Sequence, residues 1–72
     1  MIEVGRIGLI DQGDDQGQQV RVLDDSANTG GYLIITGKKL SNPNAETFDS
    51  WVGSLSELQG FFEESGWLIK WL

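Results

Sequence analysis

Eleven carboxylates, with no histidine and no cysteine, set the limits of what chemistry this chain can carry. Asp11, Asp14 and Asp15 cluster in one segment, and Asp24 and Asp25 in another. Paired carboxylates are the acid–base equipment of glycoside hydrolysis, but that chemistry also needs a concave cleft. A chain of 72 residues has little room for one. Calcium is the other ligand that clustered acids suggest. The calcium loop of an EF-hand places oxygen ligands at fixed spacing and ends on a glutamate. Asp11-Gln12-Gly13-Asp14-Asp15-Gln16-Gly17 does not have that spacing, so these acids read as solvated turn residues.

Nucleophilic catalysis lacks a base. Serines are present, but without histidine, and with Lys38, Lys39 and Lys70 as the only lysines, none has a partner to activate it. The commonest zinc ligands, thiolate and imidazole, are both missing. No glycine-rich phosphate loop ending in Lys-Ser or Lys-Thr is present, and Gly30-Gly31 precedes a strand pattern rather than a helix. The chain is therefore expected not to be an enzyme and to use no cofactor and no metal.

Charge narrows the partners. Five basic residues against eleven acidic ones leave a net charge of −6. Nucleic-acid binding requires Lys and Arg to neutralise phosphates, and Lys38-Lys39 is the only basic pair. An anionic membrane surface is disfavoured for the same reason. A basic protein partner suits the sign, because complementary charge speeds encounter and rejects wrong partners. The N-terminal residues lack the basic and apolar runs of a secretion signal, and no stretch approaches the length of a membrane span. A cytoplasmic protein is the expectation.

These residues must be positioned by one small domain covering 1–72. A chain of this length buries only about 60% of the surface its unfolded form exposes. The pattern predicts a strand within Ile2–Ile10, a turn-rich loop, and a second strand over Gln18–Leu23. Tyr32–Thr36 is apolar on both faces, as a covered central strand would be. The segment from Gly37 to Glu46 reads as a mobile loop, and Thr47–Val52 as a fourth strand. Ser54-Leu55-Ser56-Glu57 matches a capping box ahead of an apolar stripe of Leu55, Leu58, Phe61 and Phe62. Gly66 stands where a left-handed residue ends a helix, and Trp67–Leu72 alternates as a last strand. The expected fold is α+β, in the order β-β-β-β-α-β, with one helix on one face of a mostly antiparallel sheet of four or five strands.

One helix covers one face, so large apolar groups are expected on the other. An apolar patch centred on aromatics and rimmed by acids is how a protein-binding surface looks. The residues predicted to form it are Tyr32 and Trp51 as anchors, with Asp14, Asp15, Asp24, Asp25 and Asp49 steering a partner. The rival expectation is that the same face forms a homodimer, with the charge serving solubility alone.

The run from Phe48-Asp49-Ser50-Trp51-Val52 through Leu55-Ser56-Glu57-Leu58-Gln59-Gly60-Phe61-Phe62 to Trp67-Leu68-Ile69-Lys70-Trp71 resembles a pattern in small acidic bacterial proteins. There a strand with Phe-Asp-x-Trp leads into a helix and a closing strand. Some of those proteins are immunity proteins of polymorphic toxin systems. The resemblance implies an inhibitor that neutralises a cognate toxin by masking its active surface. It covers none of the N-terminal half and assigns no individual residue a role.

Overall fold

A computed structural model describes residues 2–72. Five strands and one helix follow in the order β1 (Ile7–Gln12), β2 (Gln19–Asp25), β3 (Gly31–Gly37), β4 (Thr47–Val52), α1 (Leu55–Ser65) and β5 (Leu68–Trp71). The strands form a single sheet in the spatial order β4-β3-β2-β1-β5, and every adjacent pair is antiparallel. The architecture is the expected α+β fold. Strands one to four form a meander, each paired with its neighbour in sequence. The helix then carries the chain from one edge of the sheet to the other, where β5 joins β1.

The helix begins where the sequence places it. Ser54 is extended, and its Oγ accepts from the backbone N–H of Glu57 at 3.1 Å. The reciprocal bond of the box lands one residue early: Glu57 Oε2 accepts from the N–H of Gly53 instead of Ser54. Both bonds satisfy main-chain donors next to the first helical turn, so the function of the box is kept. Gly66 closes the helix in the left-handed region, at φ 67°, with its N–H donating to the carbonyl of Glu63.

Strand register sorts the side chains into two faces. Cross-strand partners share a face, and Val20–Thr36–Phe48, Val22–Ile34–Ser50 and Asp24–Tyr32–Val52 are such rows. On this face Ile10, Val20, Val22, Ile34 and Val52 meet Leu58 and Phe62 of the helix, and these seven form the buried core. Tyr32, Phe61, Trp67, Ile69 and Trp71 pack around it. Burying an aliphatic side chain of this size contributes roughly 1.5–3 kcal/mol. The core therefore rests on few residues.

Tyr32 corrects an expectation. It is half-buried against the core on the helix side, whereas Trp51 projects from the opposite face. The two cannot anchor one surface. Apolar residues on both faces of β3 left the choice open, and the helix takes the face of Ile34 because Val20, Val22 and Val52 align with it. The other face carries Ile7, Leu9, Leu23, Leu33 and Ile35, all half-buried although no helix covers them. Part of their cover is the loop between β3 and β4. Leu40, Asn42, Pro43 and Ala45 close a space of about 240 Å³ over Arg21, Leu23 and Ile35. Gln19 Oε1 holds the loop there by accepting from the N–H of Leu40 at 2.8 Å. The segment read as a mobile loop is folded back onto the sheet.

Candidate binding site

The helix lies nearest β3 and β4. That lateral offset leaves the β1–β5 half of the same face without a helix above it. Between α1 and β5 runs a groove of about 600 Å³, walled by Leu55, Leu58 and Phe62 on one side and by Trp67 and Ile69 on the other, with Trp71 also lining it. Ile2 and Val4 close one end. Of the large apolar side chains that remain exposed, Val4, Leu55 and Leu68 all line this groove.

Two tryptophans shape its floor and its far end. Gly8 pairs across the strands with Trp71, and a Cβ on Gly8 would lie 2.9 Å from Trp71 Cε3. The glycine lets the indole settle over β1, where it becomes floor instead of standing up as wall. Trp67 makes edge-to-face contacts with Phe61 and Phe62, with ring centroids 5.7 and 5.1 Å apart. Its Nε1–H donates to the carbonyl of Asp14. The N–H of Asp14 in turn donates to the carbonyl of Ser65 at 3.1 Å. The β1–β2 loop is thereby tied to the helix C-terminus.

Charge around the groove is one-sided. The helix holds Glu57, Glu63 and Glu64 and no basic residue. Glu63 lines the groove itself, with Gln59 as the other polar wall residue. Asp14 and Asp15 sit in the loop bound to the helix C-terminus, where the main-chain carbonyls already carry partial negative charge. Lys70, between the groove residues Ile69 and Trp71, is the nearest cation along the chain, but it pairs with Leu9 on the opposite face of the sheet. Arg6, two residues from Val4, is engaged. Its guanidinium pairs with Glu3 at 3.2 Å and donates from Nε and Nη2 to the carbonyl oxygen of Leu72.

The seven residues predicted as a partner surface fall into three places. Asp14 and Asp15 stand at the helix C-terminal end. Asp24 and Tyr32 are cross-strand partners on the helix side at the other end. Asp25, Asp49 and Trp51 belong to the helix-free face. Asp25 is occupied in its own turn, accepting from Asn28 Nδ2 and Thr29 Oγ1. Asp24 accepts from Ser26 in the same turn, and that hydrogen bonding, first from the side chain and then from the backbone N–H, holds its carboxyl below the usual aspartate range. Sequence reasoning missed Leu55 and Val4 as exposed residues and Trp71 as a groove residue. The signal for Leu55 was its position beside the cap, at the end of the stripe.

Among the described residues, no group of three or more acidic, histidine or cysteine side chains is placed to hold a metal ion. No described helix is long and apolar enough to cross a membrane. Compared with family models, curated proteins and solved structures, the chain matches none.

Proposed function

We propose that this chain is a non-catalytic binding protein, an inhibitor of the immunity type, that masks a basic protein partner by gripping an apolar segment of it in the groove between α1 and β5. The observation that carries the reading is the pairing of an open apolar floor with an exclusively acidic helix beside it. An amphipathic segment with apolar residues on one side and Lys or Arg on the other meets both features at once. Apolar anchors entering the groove would supply affinity, and the acids would steer association.

Two substitutions from different walls test this. Leu55→Asp and Val4→Asp each put a charge into the groove at positions already exposed to solvent, so both should leave folding nearly unchanged, within about 0.5 kcal/mol. The tagged chain and each variant are used to isolate partners from the same cells, and the isolated partner's activity is then assayed with each form. Support requires a basic partner whose activity falls on adding the wild-type chain. Either substitution should weaken its binding at least tenfold, and added salt should slow its association. A partner bound equally well by both variants, or an acidic one, would overturn the proposal.

A further inference from the structure

We infer that β4 is a pairing edge for a second copy of this chain, and that two copies join antiparallel through β4 about a two-fold axis at Ser50. This goes beyond the groove reading and does not depend on it, since the groove is lined by α1 and β5, and β5 is the opposite edge of the sheet from β4.

The argument begins with main-chain groups. Ile10 N–H donates to Gln18 O, and Gly5 N–H to Val22 O, so the even-numbered residues of β2 turn their peptide groups toward β1. Alternation through the β2–β3 and β3–β4 registers then turns Phe48, Ser50 and Val52 toward β3. The N–H and C=O groups of Thr47, Asp49 and Trp51 consequently point out from the edge of the sheet.

The two edges of the sheet are built differently. At the β5 edge the strand is four residues long, carries Lys70, and its pairing with β1 shifts register between Ile10 and Gln12. Short length, a lysine and an irregularity are the usual guards against pairing between molecules. β4 has none of them: six residues pair with β3 without a break, and it contains no proline and no lysine. Instead it shows solvent two aromatic rings, Phe48 at 61% and Trp51 at 53% exposure, one on each face. Trp51 is already fixed. It packs against Gly31, where a Cβ would lie 2.7 Å from Cε2 of the indole, and its Nε1–H donates to Thr29 Oγ1 at 2.9 Å.

Self-pairing is favoured over capture of a foreign strand because β4 is complementary to itself. With Ser50 on the axis, Asp49 stands opposite Trp51 of the second copy, and Phe48 opposite Val52. Apolar meets apolar on the helix side, and no carboxylate faces another. The outward groups of Asp49 and Trp51 then exchange about four main-chain hydrogen bonds. Shifting the register to put Asp49 on the axis sets two carboxylates side by side, which cross-strand pairing disfavours.

The absence of cysteine makes the test specific. At the axis the two copies of Ser50 form a non-hydrogen-bonded pair with Cα atoms about 4.5 Å apart, within disulfide range. Ser50→Cys should therefore cross-link to its own copy under mild oxidation about tenfold faster than Asp49→Cys, whose copies lie diagonally and too far apart. Asp49→Pro removes one outward N–H that the monomer leaves unpaired. It should keep the fold, read by thermal unfolding, and abolish the dimer seen by sedimentation. A wild-type chain that sediments as a monomer at the highest attainable concentration would overturn the inference. So would equal cross-linking at the two positions, or a dimer that Asp49→Pro leaves intact.

Discussion

The indole of Trp71 occupies the space that a side chain on Gly8 would need. The two residues are cross-strand partners, so the contact joins β1 to β5 at their paired positions. Gly8→Ala should cost about 1–3 kcal/mol, because the added carbon would lie 2.4 Å from Ile69 Cγ2 as well as 2.9 Å from the indole, and both must move. Urea unfolding gives the cost. Combining Gly8→Ala with Trp71→Leu should cost less than the sum of the two, a coupling that a double-mutant cycle resolves. Additive costs would show that the clash falls on Ile69, the nearer neighbour, and not on the indole.

Gly60 is the opposite case. It lies inside α1, and a Cβ there would meet nothing within 4 Å. Gly60→Ala should therefore stabilise the domain by about 1 kcal/mol, the propensity difference between the two residues. A higher midpoint in urea with an unchanged slope is the expected result.

The cap of α1 fixes where the helix leaves β4. Ser54→Ala removes the acceptor for the N–H of Glu57 and should cost about 0.5–2 kcal/mol. Glu57→Ala should cost a comparable amount by freeing the N–H of Gly53. Amide hydrogen exchange should then rise first in the opening turn of the helix.

Asp24 ties stability to acid. Its carboxyl is depressed in the folded state by hydrogen bonds from Ser26. A depressed pKa means that the contribution is fully present above the unfolded aspartate value and is lost as pH falls through the folded one. Carbon chemical shifts of the carboxyl should titrate below those of an unstructured aspartate. Ser26→Ala should move that titration upward and leave a smaller loss of stability on acidification.

Much of this architecture was legible from residue order. Thr47–Val52 and the Ser54 cap are found where the pattern put them, because each depends on contacts a few residues apart. Gly8 is approached by side chains, Ile69 and Trp71, that lie far from it in sequence. The irregularity in pairing falls beyond it, between Ile10 and Gln12. Three things lay outside local patterns. The face the helix chooses on β3 depends on Val20, Val22 and Val52 lining up with Ile34, which is a matter of register. The groove depends on the lateral position of the helix over the sheet. The fold-back of Leu40 and Pro43 rests on one side-chain bond from a strand distant in sequence. The acidic clusters misled because charge density along the chain says nothing of direction; Asp24 and Asp25 are adjacent, yet project from opposite faces.

The strand order has a consequence for how fast the chain acquires its structure. β1 to β4 can assemble as successive hairpins, each closing a short loop. β5 must return to the start of the chain, and the Arg6–Leu72 contact beside it spans 66 residues. Contacts of such separation carry the largest closure entropy and form slowly. Until they form, β1 is itself an unpaired edge, and Trp71 has not reached Gly8. Trp71 fluorescence should therefore report the late phase of refolding, after the meander has formed.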